Sequence, residues 1–168
     1  GNEVYGDYQI GHTPDPKFYA EELVKIIKEV RKADHSVDII ASAYGAHNHA
    51  GKPSDWNEQL IRYAGDYIDG LDIHSYVYGP KSSELGETKR PDVIRAFAAS
   101  NFCIDAYIDN VRDLLKRENK EHIKIAFLEW GVLPRIGPAR STRVPHRQSF
   151  VNMLCTSAYF NEFIRNGD

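Results

Sequence analysis

A chain of 168 residues, 42% hydrophobic and 27% charged, has the balance of an ordinary globular protein and the length of one domain or of part of a larger one. A net charge of -3 and a pI near 6.2 supply no basic field that would neutralise phosphates, which sets nucleic acid aside as a partner. No apolar run approaches the roughly 18 to 20 residues that cross a bilayer, so a membrane is not expected either.

In chain order, Thr13-Pro14-Asp15-Pro16 is a helix start, with Asp15 placed to cap and Pro16 at the first helical position. Tyr19, Leu23, Ile26, Ile27 and Val30 then draw one apolar stripe on a helix ending near Ala33. After a turn at Asp34-His35-Ser36, Val37 to Ala43 is apolar enough for a short strand buried on both faces. A polar loop from Tyr44 to Pro53 holds His47 and His49, which read as a substrate-side or solvated loop rather than a metal site because no third ligand is nearby. A second helix starts at Pro53-Ser54 and carries Trp56, Leu60, Ile61 and Tyr63.

Leu71 to Tyr76 is the second strand, followed by a long loop rich in Gly, Pro and Ser. The longest helical pattern runs from Pro91 to about Asn119, with Ile104, Ile108, Val111 and Leu115 on one stripe and an interruption near Ser100-Asn101. Ile123 to Glu129 is the third strand. A loop from Gly131 to Pro145, with Arg135, Arg140 and Arg143, leads to a last helix from about Arg147 to Asn166, expected to turn Phe150, Met153, Leu154, Ser157 and Ile164 inward. Cys103 and Cys155 have no CxxC or metal spacing and read as buried free thiols. Position 1 is Gly rather than Met, and Asn166-Gly167-Asp168 reads as a helix end entering a connection, so both termini look cut.

Strands separated by helices imply βαβ units and a parallel sheet. The long polar loops follow the strands, where an α/β barrel or a doubly wound sheet keeps its function, and neither a GxGxxG nor a Walker pattern favours nucleotides. Glu129 closes the third strand and is followed by Trp130. His74 and Tyr76, two apart on the second strand, share one face. Converging carboxylates, hydrogen-bonding groups and aromatic rings are what acetal hydrolysis requires: an acid for the leaving oxygen, a nucleophile for the anomeric carbon, and donors for the sugar hydroxyls.

Gly1-Asn2-Glu3-Val4-Tyr5-Gly6 resembles the Gly-Asn-Glu motif ending the fourth barrel strand of clan A glycoside hydrolases, and Phe127-Leu128-Glu129-Trp130-Gly131 resembles the motif ending their seventh. Asp72-Ile73-His74-Ser75-Tyr76 is similar to the sixth-strand motif, and Tyr159 to Asp168 to the seventh helix, of glycoside hydrolase family 51, the α-L-arabinofuranosidases. The resemblance implies an α/β fold, a (β/α)8 TIM barrel of which residues 1–168 cover the end of strand 4 through helix 7, with the earlier strands, strand 8 and any C-terminal β-domain outside the sequence.

It further implies a retaining arabinofuranosidase in which Glu3 is the general acid/base and Glu129 the nucleophile, the two facing each other across one sugar ring. Asn2 would bind the hydroxyl beside the anomeric carbon, Tyr76 would orient Glu129, His74 would line the sugar subsite and Trp130 would form part of the pocket wall. The partner is an arabinose-containing carbohydrate, no cofactor or metal is called for, and a homo-oligomer of the full-length protein stays open. Another clan A activity, endo-glucanase or xylosidase, and a non-catalytic carbohydrate-binding domain are the alternatives. Three strands of a barrel have unpaired edges, so the isolated segment is expected to be inactive and to associate.

Overall fold

In the computed structural model, which describes residues 2–45, 55–81, 101–135 and 150–167, helices and strands alternate in the expected order. Two compact units divide the chain, one made of Gly1–His74 and Asp109–Leu128, the other of Ser75–Ile108 and Glu129–Asp168.

In the first unit, Asp15 fixes where helix α1 (Pro16–Ala33) begins. Its Oδ1 accepts from the backbone N–H groups of Lys17 at 2.9 Å and Phe18 at 3.1 Å, while Pro16 fills the position that has no N–H to satisfy. Ala20 and Ile27 are buried on α1, but Ile26, expected on the same stripe, is 60% exposed. It is one residue, or about 100° of rotation, from Ile27, and so turns off the buried line. Helix α1 packs against α2 (Trp56–Ala64), which buries Trp56, Leu60, Ile61 and Ala64. Tyr63 is turned outward beneath the Lys17 ammonium, which lies 5.0 Å from its ring centroid.

Strand β1 is shorter than its apolar run: it spans Ile40–Ser42, and Val37 and Ile40 are exposed. Only Ala41, Ser42 and Ala43 are buried in succession, so the expectation of two covered faces holds at the strand's end and fails at its start. Strand β2 (Gly70–Lys81) pairs with β1 in parallel, with Ile40, Ala41 and Ser42 opposite Gly70, Leu71 and Asp72, and the sheet order is β1-β2-β3. Asp69 ties the strand entries to α1: its Oδ2 accepts from the Ile39 N–H at 2.7 Å and from Arg31 at 2.8 Å.

Strand β3 (Lys124–Arg135), like β2, runs well past its expected end. Gly79, Pro80 and Lys81 in one extension, and Gly131, Pro134 and Arg135 in the other, make these stretches look like loop, yet an extended backbone needs only ladder partners and no apolar side chains. Gly131, at φ +142, lets β3 continue through a conformation that side chains rarely adopt.

The second unit holds residues 75–81 of β2, residues 129–135 of β3, the start of helix α3 (Asn101–Arg117) and helix α4 (Phe150–Asn166). The α3 stripe of Ile104, Ile108, Val111 and Leu115 is buried as expected, although it passes from one unit into the other. Helix α4 corrects its expectation at four positions: Met153, Leu154, Ser157 and Ile164 are exposed, and among its described side chains the buried ones are Cys155, Tyr159 and Glu162, while the Phe150 side chain lies outside those described. Both sets recur at helical spacing, so periodicity alone could not choose, and the aromatic packing of Tyr159 on Trp130 selects the second. Cys155 is buried and outside any disulfide, as expected, and burial pushes its thiol up from its ordinary pKa. The loop with His47 and His49, the Pro53-Ser54 start, the interruption at Ser100, the Cys103 side chain and the Arg140 and Arg143 loop lie outside the described residues. Among the described residues no helix is long and apolar enough to cross a membrane.

Candidate active site

Glu3 does not end a strand. It sits in a turn closed by the Gly6 N–H donating to the Glu3 carbonyl at 2.7 Å, with φ at +41°, a left-handed conformation uncommon for a residue with a β-carbon. Strain of this kind persists where surrounding contacts hold it, and it concentrates at functional sites. Three donors hold the side chain. Tyr8 donates to Oε2, while Oε1 takes Tyr5 at 3.3 Å and the His74 Nδ1 at 2.9 Å. Gly6 makes room for this: a β-carbon there would lie 2.6 Å from the Tyr8 ring. Burial pushes the Glu3 carboxyl up, but the bonds from Tyr8 and His74, with the charge of His74 and the Tyr5 hydroxyl, outweigh it and hold the group below its ordinary value.

The turn stands on an aromatic group. Tyr5 packs on Tyr44 with centroids 4.7 Å apart and edge-on to Trp56 at 5.6 Å, and Trp56 stacks on Tyr19 at 5.2 Å. Burial first, then the Glu3 carboxylate, pushes the Tyr5 phenol far up, so it remains a donor at any working pH. Asn57 clamps the Tyr44 backbone on both sides, accepting from its N–H at 2.6 Å and donating to its carbonyl at 3.3 Å. Asn2 is exposed beside Glu3.

In the second unit, Glu129 stands within β3 rather than at its end, and the hydroxyl of Tyr76 donates to its Oε2 at 2.9 Å. Trp130 alternates to the other face of the strand. Its ring stacks on Tyr159 at 5.4 Å and meets Phe160 and Phe163 edge-on at 5.2 and 5.3 Å. Ser75, between His74 and Tyr76, is buried with its hydroxyl 3.4 Å from that of Tyr159. The alternation along β2 thus separates packing residues from those that reach carboxylates.

The chain is 28% identical over 135 residues to an intracellular exo-α-(1→5)-L-arabinofuranosidase of Acetivibrio thermocellus, a match covering 79% of this chain and 25% of that one. This chain is similar to the α-L-arabinofuranosidases. It spans about a quarter of the length of the curated relative it matches. Two solved structures share its fold. A family 51 α-L-arabinofuranosidase of Bifidobacterium longum matches with a TM-score of 0.63 at 24% identity, over 79% of this chain and 26% of that one. The family 51 enzyme of Thermotoga petrophila matches with 0.73 at 20% identity, over 99% of this chain and 30% of the other. No family model matches the chain.

Three side chains at these carboxylates escaped the sequence reading: Tyr5, Tyr8 and Asp72. The last was visible in principle, because Asp72, His74 and Tyr76 alternate on one strand and so share a face. Tyr5 and Tyr8 act through a turn whose shape no periodicity encodes.

Proposed function

We propose that this chain carries the catalytic residues of a retaining glycoside hydrolase that releases terminal α-L-arabinofuranosyl residues from arabinose-containing polysaccharides or oligosaccharides. The observation that carries the reading is a matched pair of hydrogen bonds. Each motif glutamate is held by a residue of the intervening Asp-Ile-His-Ser-Tyr motif, Glu3 by His74 at 2.9 Å and Glu129 by Tyr76 at 2.9 Å. The likeness to the arabinofuranosidases supports it, and so does the strained backbone at Glu3. The alternation of elements and the parallel pairing of β1 with β2 support the finer reading of the fold, a (β/α)8 barrel segment from the end of strand 4 through helix 7.

In this mechanism the Glu129 carboxylate attacks the anomeric carbon while the Glu3 carboxyl gives its proton to the departing oxygen. Glu3, now an anion, then takes a proton from water, whose oxygen displaces Glu129 from the same carbon; retention requires carboxyl groups about 5 to 5.5 Å apart. The donors around Glu3 favour its anion, which suits the second step. For the first, the group must be protonated, and the exposed Tyr8 is the donor that an arriving leaving group can replace. Asn2 binds the hydroxyl next to the anomeric carbon, Tyr76 orients the nucleophile, and His74 and Trp130 shape the sugar subsite.

The test is Glu129→Ala in the full-length protein with an aryl arabinofuranoside. Turnover should vanish, and azide should restore a product of the opposite anomeric configuration. Undiminished hydrolysis would remove the nucleophile assignment, and a preference for xylosides or β-glucans over arabinofuranosides would replace the substrate.

A further inference from the structure

The His74 imidazole, only 5% exposed, lies between two carboxylates of the first unit. Its Nδ1 is 2.9 Å from Glu3 Oε1, and its Nε2 is 3.0 Å from Asp72 Oδ2. An ionised carboxylate only accepts hydrogen bonds, and a neutral imidazole has a single N–H. The two contacts therefore require two protons: either the ring is an imidazolium or one carboxyl is protonated. Two anions at hydrogen-bonding distance from one ring favour the imidazolium. Among the described residues of this unit, Tyr5 and Tyr8 also act on Glu3, Tyr44 on Tyr5, and the Asp72 carboxylate on Tyr19.

Asp72 is itself fixed. Its backbone pairs with Ser42 in the β1–β2 ladder, and its carbonyl accepts the Ala43 N–H at 2.9 Å. Its Oδ1 accepts the Leu128 N–H at 3.3 Å, which leaves Oδ2 aimed at the imidazole. The ring is thus anchored at its far nitrogen by a carboxylate that is locked into the sheet.

We infer that Asp72 is a positioning residue for Glu3: acting through His74, it holds the ring so that a charged Nδ1–H donates to the Glu3 carboxylate. The inference rests on the reading of Glu3 as the acid/base. When Glu3 gives up its proton to the leaving oxygen, the anion that forms meets a cationic donor already in place, with no reorganisation at that moment. Because Asp72 acts through His74, its effect falls on the leaving group.

Two measurements on the full-length protein test this. Selective 15N-histidine labelling, with the His74 resonances assigned through His74→Gln, should show both ring nitrogens protonated at neutral pH in the unsubstituted protein. A neutral ring with a single N–H there would overturn the inference, and this reading needs no variant of Asp72 to fold. The second measurement compares Asp72→Asn on an alkyl and on a dinitrophenyl arabinofuranoside. The alkyl substrate needs the acid and should lose about tenfold in kcat, a fraction of the roughly 100- to 10,000-fold of general acid catalysis itself, while the dinitrophenyl substrate should hardly change. Equal losses on both would make Asp72 merely structural. Glu3→Gln is the control: if it lacks leaving-group dependence, the acid/base reading fails, while the nitrogen spectra still decide whether Asp72 holds His74 charged.

Discussion

Glu3 and Glu129 are the same residue type held by opposite means. Glu3 owes its place to side chains: a left-handed turn, two tyrosines from that turn, and an imidazole from 71 positions further on. Glu129 owes its place to backbone, since it stands inside a twelve-residue strand and takes the hydroxyl of Tyr76. The difference suits the proposed roles. An acid/base must change its charge during each turnover, so its donors must be tunable, whereas a nucleophile must stay ionised and point one way.

The largest effects should fall on the glutamates and should differ in kind. Glu129→Ala should abolish turnover of every aryl arabinofuranoside. Glu3→Ala should cost roughly 100- to 10,000-fold on substrates with poor leaving groups and far less on activated ones, as a kinetic series across leaving groups would read. If the two variants gave the same profile, the division of roles would collapse.

The packing beneath the Glu3 turn comes next. Leu60 is fully buried on α2, in the helix whose Trp56 supports Tyr5, and Leu60→Ala should destabilise the first unit by about 2 to 5 kcal/mol in denaturant titration. At Glu129, Tyr76→Phe removes a hydrogen bond to a charged group, worth about 1.5 to 3 kcal/mol, so kcat should fall by roughly 10- to 100-fold with the fold intact by circular dichroism. A change in KM alone would mean that Tyr76 binds substrate and does not orient the nucleophile.

Two smaller effects belong to the turn. Because Glu3 stands at φ +41°, Glu3→Gly should be more stable than Glu3→Ala by about 1 kcal/mol in thermal unfolding, although both are inactive on poor leaving groups. Tyr8→Phe removes a donor that lowers the Glu3 pKa, so that pKa should rise. Since the acid must be protonated in the first step, the basic limb of kcat/KM should move to higher pH. The linked stability runs the other way round. A depressed carboxyl contributes stability that is present above its unfolded value of 4.5 and lost as pH falls through the folded one, so Tyr8→Phe should be less stable than the unsubstituted protein above that range, and the difference should vanish as pH falls below it. A basic limb that stays put would separate Glu3 from that titration.

The local elements were legible because their causes are local. Asp15 and Pro16 start α1 with groups two or three residues away, and the α3 stripe from Ile104 to Leu115 repeats at the helical period. The Asn-Glu, His-x-Tyr and Glu-Trp motifs marked the candidate side chains by resemblance. What no pattern along the chain could decide was how those side chains meet. Helix α4 offers two apolar faces at the same spacing, and only its packing on Trp130 buries Cys155 and Tyr159 in place of Met153 and Ile164. The strands outran their apolar runs because ladder hydrogen bonds do not depend on side-chain polarity. The bonds from His74 to Glu3 and from Tyr76 to Glu129 join residues 71 and 53 positions apart, and the Asp72 anchor behind His74 acts across the sheet. Composition and periodicity report short-range causes, whereas a hydrogen bond between distant residues exists only once the backbone has brought them within 3 Å or so.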